Sequence, residues 1–120
     1  MLSFNSILLF SEHPKELGEF YEKVFGSKPG WAEHGYVGFQ VGSGFVTIGP
    51  HDKVKGKNSQ PERIMINLET TDVAGEFARI KALGAAVIAE PYHPGEEKDM
   101  QIATFADPDG NYFQLMSPMK

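Results

Sequence analysis

Two helical stripes, each closed by a glycine, divide this chain into two similar halves, and that order constrains the fold more than any other feature. Leu17, Phe20, Tyr21, Val24 and Phe25 recur at the spacing of one helical face. They follow Pro14, whose missing N–H suits a first helical position. The spacing predicts a helix over 14–25, stopped by Gly26, with Glu19 and Lys23 as an i, i+4 ion pair on its wet side. Val73, Phe77 and Ile80 form a second stripe, with Thr71 or Asp72 as its cap and Gly84 closing it after Leu83.

Strands surround both helices. The apolar run Ile7-Leu8-Leu9-Phe10 is short enough for a buried strand, predicted over 2–11. Three short strands follow, near 30–33, 36–41 and 45–48, the last two joined as a hairpin across Gly42-Ser43-Gly44. Residues 50–62 lack apolar periodicity and are rich in turn formers, which predicts an exposed connection. From Ile64 the pattern alternates, with Ile64, Ile66 and Leu68 on one face and Met65, Asn67 and Glu69 on the other. Further strands are expected at 85–90, 100–106 and 111–116, and Asp107-Pro108-Asp109-Gly110-Asn111 is a tight-turn signature between the last two. Strand–helix–strand–strand–strand thus occurs twice, and Gly18-Glu19-Phe20 recurs as Gly75-Glu76-Phe77. The expected fold class is α+β: two βαβββ modules forming a curled, barrel-like mixed sheet with a cleft, one helix per module packed outside. Residues 1–120 read as one domain, with module one at 1–49, the connection at 50–62 and module two at 63–120.

Composition narrows the function. With no Cys among 120 residues, a disulfide scaffold, a thiolate metal site and a Cys nucleophile are all excluded. Eleven scattered Lys and Arg against sixteen acids give a net charge of −5, without the basic stripe that nucleic acid requires. No apolar run approaches the roughly 20 residues of a membrane span, and the start of the chain carries no basic leader, so a cytoplasmic protein is expected.

Three segments carry a resemblance to a known superfamily: Phe20-Tyr21-Glu22-Lys23-Val24-Phe25-Gly26, the second helix from Asp72-Val73 to Ala82-Leu83-Gly84, and Phe105-Ala106-Asp107-Pro108-Asp109-Gly110-Asn111. Over essentially its whole length the chain resembles the vicinal oxygen chelate superfamily, which includes glyoxalases, bleomycin resistance proteins and extradiol dioxygenases. The resemblance implies paired βαβββ modules and a homodimer. It also implies a divalent metal held in the cleft by His and Glu. The matching ligand positions carry Ser6, Met65 and Gln114. A thioether suits soft Cu(I), and neither a hydroxyl nor a neutral amide replaces an imidazole or carboxylate. On the strand around Phe45 to Ile48, Thr47 is the polar candidate for the fourth position. No metal and no other cofactor is therefore expected.

What remains at these positions is a neutral, partly aromatic set. Ser6, Leu8, Trp31, Phe39, Thr47, Met65, Asn67, Tyr112 and Gln114 are the candidate ligand-binding residues for a small organic molecule. The same residues in a filled barrel would simply be packing, and Trp31 equally suits a dimer interface. Glu69 is the candidate base of a competing reading, a lyase, isomerase or dioxygenase with a relocated metal site or a carboxylate base. A third reading makes the dimer surface itself the function. His13, His34, His51 and His93 lie in turn-rich segments, and the Lys53-Val54-Lys55-Gly56-Lys57 run reads as a solvated loop.

Overall fold

In a computed structural model, which describes residues 1–96 and 98–119, the chain divides into two compact units, Met1–Gly56 and Lys57–Lys120. Unit one runs β1 (Ile7–Ser11), α1 (Pro14–Phe25), β2 (Trp31–Glu33), β3 (Tyr36–Val41) and β4 (Gly44–Pro50). Unit two follows a 3-10 turn at Pro61–Arg63 and runs β5 (Ile66–Glu69), α2 (Val73–Ala82), β6 (Ala86–Tyr92), β7 (Ile102–Ala106) and β8 (Tyr112–Met116). The sheets have matching orders, β1-β4-β3-β2 and β5-β8-β7-β6. In each the first strand lies parallel to the last, and the remaining pairs are antiparallel. The fold class is α+β, built from two βαβββ modules.

Each helix covers one face of its own sheet. In unit one, Leu17, Tyr21 and Val24 are buried with Val46, Ile48 and Phe39. Phe25 links Tyr21, stacked at 5.3 Å, to Phe39, met edge-on at 5.3 Å. In unit two, Val73, Phe77 and Ile80 pack with Ala103, Phe105, Phe113 and Leu115. There the Phe105 ring stacks between Phe77 at 5.1 Å and Phe113 at 5.5 Å. Both helices bury positions i, i+4 and i+7, so the helix repeat aligns Leu17 with Val73, Tyr21 with Phe77 and Val24 with Ile80. The recurring Gly-Glu-Phe is one residue out of step with that alignment, and Gly18 is buried where Gly75 is exposed. The duplication lies in the order of elements and in the buried stripe, and the tripeptide is incidental to it.

The helix ends follow the sequence. Gly26 is left-handed at φ 71° and its N–H donates to the Glu22 carbonyl. Asp72 caps α2, its carboxylate accepting from the Gly75 N–H at 2.9 Å. The strand starts differ from expectation. β1 begins at Ile7, paired with Val46, and because its only neighbour β4 starts at Gly44, after the turn at Gly42-Ser43, residues 2–4 have no strand to pair with. β5 begins at Ile66, because the 3-10 turn extends to Arg63, leaving Ile64 beyond the sheet and 71% exposed.

The connection is held to both units by hydrogen bonds. On the first unit, the Gly56 N–H donates to the Glu12 carboxylate at 3.0 Å. That bond lowers the Glu12 pKa against a smaller opposing effect of burial, with the Lys55 and His13 charges adding to the lowering. A lowered folded-state pKa means that the stabilisation is complete above the unfolded glutamate pKa and is lost as pH falls through the folded value. In a carboxyl NMR titration Glu12 should therefore titrate below an unstructured glutamate. The Gly56 amide shift should follow the same curve and lose it in Glu12→Gln; a Glu12 midpoint at the ordinary value would show that the clamp is not formed. On the second unit, the Asn58 N–H donates to the Asp109 carbonyl at 2.8 Å, and its side-chain amide donates to Asn111 Oδ1 at 3.0 Å.

Candidate functional site

The face of each sheet turned away from its helix carries most of the sequence-derived candidates. In unit one the strand register aligns Leu8 with Thr47, Thr47 with Gly38, and Gly38 with Trp31, one row across all four strands. In unit two the corresponding row is Asn67, Gln114, Thr104 and Ala89. Five candidates, Leu8, Trp31, Thr47, Asn67 and Gln114, thus occupy equivalent rows of the two modules. Tyr112 shares the face of Gln114, two residues before it on β8, while Ser6 and Met65 lie just ahead of β1 and β5 and are half-buried.

Phe39 lies elsewhere. It opposes Val46, is fully buried, and contacts Phe25 on the helix side of the sheet. In β3, Val37, Phe39 and Val41 alternate with Tyr36, Gly38 and Gln40, so the parity of the strand already groups Phe39 with the apolar set that faces the helix.

The open face of unit one is paved with rings lying over glycines. A Cβ on Gly38 would stand 2.6 Å from Trp31 Nε1 and 2.8 Å from Phe45 Cζ, and one on Gly49 would enter the Tyr36 ring. Glycine at two strand positions therefore lets Trp31, Phe45 and Tyr36 lie down on the sheet. Trp31 is still 42% exposed and Leu8 56% exposed, so the row offers an apolar, aromatic surface. Residue selection from sequence missed Phe45, Tyr36 and Gly38; glycines inside the predicted strands were the available signal.

The open face of unit two is neutral and polar. Gln114 donates through Nε2 to the Thr104 hydroxyl at 3.0 Å, which fixes its amide and turns its carbonyl oxygen away from Thr104. Thr104 is another residue that sequence reasoning missed, and it is almost fully buried. Glu69 ends β5 exposed, level with Met116, Ile102 and Tyr92, so its neighbours along that row are apolar or aromatic.

The histidines have local roles. His13 precedes α1 and its N–H donates to Ser11 Oγ at 2.8 Å. His34 takes a left-handed turn at φ 54°. His51 accepts from the Lys53 N–H at 3.1 Å and meets Phe10 edge-on. His93 Nδ1 is 2.9 Å from the Met100 carbonyl oxygen. Among the described residues, no group of three or more His, Asp or Glu is placed to hold a metal ion. The hydroxyl of Ser6, the thioether of Met65 and the hydrogen-bonded amide of Gln114 do not fit a hard or borderline divalent cation, which requires charged oxygen or imidazole donors.

The turn between β7 and β8 is built on Asp107, which is 5% exposed. Its Oδ1 accepts from the Asp109 N–H at 2.9 Å and the Asn111 N–H at 3.0 Å, and the Asn111 amide donates to its Oδ2 at 3.0 Å. Gly110 closes the turn at φ 81°, a conformation that favours glycine. This motif thus sets the start of β8, and with it the face on which Gln114 falls.

Comparison with known proteins agrees with this architecture. The model of the glyoxalase-like domain family matches residues 6–116. The chain belongs to that family, within the vicinal oxygen chelate superfamily. Solved structures with the same fold include a genomically encoded fosfomycin resistance protein, FosX from Listeria monocytogenes, complexed with Mn(II) and sulfate. It is 18% identical with a TM-score of 0.78, over 99% of this chain and 92% of that one. A hypothetical protein from S. aureus is 24% identical, TM-score 0.76, over 98% and 95% of the two chains. A glyoxalase-related enzyme from Fulvimarina pelagi is 18% identical, TM-score 0.76, over 98% and 89%. No curated protein matches the sequence significantly. Among the described residues, no helix is long and apolar enough to cross a membrane.

Proposed function

We propose that this protein binds a small, uncharged, planar or amphipathic organic molecule on the open face of its first sheet, without the divalent metal used by enzymes of the superfamily. The observation that carries the reading is the row Leu8-Thr47-Gly38-Trp31, whose ends Leu8 and Trp31 are exposed apolar and aromatic groups over a buried centre. The row Asn67-Gln114-Thr104 of unit two is a separate surface of neutral hydrogen-bonding groups. Mostly apolar walls with a few fixed polar groups are what a small-molecule site requires. The absence of charged donors at Ser6, Met65 and Gln114 supports a site that works by shape and burial. A homodimer in the cytoplasm is part of the same proposal.

Trp31 is the chain's single tryptophan, so its emission reports directly on this surface. With chelator-treated protein, a panel of planar aromatic and amphipathic compounds should contain members that quench or shift that emission saturably, and added Mn²⁺, Ni²⁺ or Zn²⁺ should not alter the response. A response that appears only after metal is added would replace this reading with the metalloenzyme one. A panel with no binder would refute the reading directly.

A further inference from the structure

A second recess lies at the start of unit two, remote in sequence from the row that holds Trp31. It is an open groove of about 350 Å³ lined by Asn58, Ser59, Gln60, Arg63 and Ile64, all of them exposed. We infer that this groove binds a small organic carboxylate carrying a short apolar arm.

The argument starts from how Arg63 is held. Gln60 Oε1 accepts from Arg63 Nε at 3.0 Å and from Nη2 at 2.9 Å. The acceptor is a neutral amide, and among the described residues no carboxylate is ion-paired with this guanidinium. Arg63 therefore keeps a full uncompensated charge while its orientation is already set. Gln60 covers the Nε edge, leaving the Nη1–Nη2 end of the fork for an incoming group. Two parallel N–H donors match the two oxygens of a planar carboxylate.

The surroundings agree in chemistry and rigidity. Neither acid nor second base lines the recess, so one guanidinium balances one negative charge; a phosphate dianion would be left half-neutralised in a protein whose net charge is −5. Ser59 and the Gln60 amide supply neutral hydrogen-bonding groups beside the fork. Ile64, 71% exposed, gives the apolar arm a surface to cover. The wall is anchored by Asn58, whose Oδ1 accepts from the Gln60 N–H at 2.9 Å while its own N–H and side chain hold the Asp107–Asn111 turn. Little loop ordering remains to oppose binding.

The test is an NMR titration of the isotope-labelled full chain with sodium pentanoate, with pentanol and inorganic phosphate as comparators. Pentanoate should shift the Arg63 Nε–H and the Ile64 methyl resonances together and saturably. Arg63→Gln should raise its dissociation constant about tenfold or more, and Arg63→Lys should fall between, since it keeps the charge and loses the fork. An unchanged amide spectrum elsewhere certifies that both variants are folded. Equal responses to pentanol and pentanoate, undiminished binding in Arg63→Gln, no saturable shift, or phosphate binding as tightly as pentanoate would each overturn the assignment. The Trp31 emission reports on a row of unit one and the Arg63 and Ile64 resonances on a groove of unit two, so this proposal and the preceding one can fail separately.

Discussion

Phe105→Ala is expected to destabilise the protein by about 3–5 kcal/mol, the range for emptying a large buried aromatic site. Phe105 is fully buried on β7 and its ring stacks on both Phe77 of α2 and Phe113 of β8. Truncation removes both stacks at once and leaves a void that the sheet and the helix cannot both move to fill. For a chain of this size the melting temperature should fall by roughly 10–20 °C. Phe105→Leu keeps most of the volume and should cost about 1–2 kcal/mol. Calorimetry of the two variants separates the readings: similar small losses in both would mean that the helix is not packed on this sheet through Phe105.

Asp107→Ala should have the next largest effect, about 2–4 kcal/mol. The carboxylate is a buried acceptor for two backbone N–H groups and the Asn111 amide. Deletion leaves those donors without their partner, and hydrogen bonds to a charged acceptor are worth about 1.5–3 kcal/mol each before compensation by water. Asp107→Asn retains one acceptor oxygen and should lose less. Because Asn58 bonds to Asp109 and Asn111, loosening the turn should also free the connection. Hydrogen exchange should accordingly accelerate at Asp109, Asn111 and Asn58 together. Acceleration at Asp109 alone would show that the turn and the connection are not coupled.

The motif that most clearly marked the superfamily is thus structural in this chain. Asp107-Pro108-Asp109-Gly110-Asn111 was legible because its chemistry is local: a carboxylate satisfying N–H groups two and four residues ahead, and a glycine with positive φ. The helices were legible for the same reason. Their buried stripes, Asp72 cap and Gly26 stop all lie within one or two turns of sequence.

Strand residues were legible only where polar and apolar groups alternate. Asn67 and Gln114 have apolar neighbours on either side, and with Tyr112, two residues before Gln114, they stand on the open face as the alternation predicts. Phe39 shares its parity in β3 with Val37 and Val41, and that apolar set is the one α1 covers. Phe45 and Tyr36 are harder to place, because each is an aromatic residue of the open-face parity next to an apolar residue of the core face. Arg63 is a related case. Its sequence context names no partner, and the 3-10 turn at Pro61–Arg63 places it on Gln60.

The sequence by itself determined the α+β class, the doubled βαβββ order, both helices and the β7–β8 turn, since each depends on periodicities and hydrogen bonds spanning a few residues. It also determined which chemical groups stand at Ser6, Met65 and Gln114. Tertiary structure alone decided where β1 begins and that glycines at positions 38 and 49 let three rings lie on one sheet. Each of these depends on which distant strand or side chain comes alongside, and a partner brought in from far along the chain leaves no period in the sequence from which to read it.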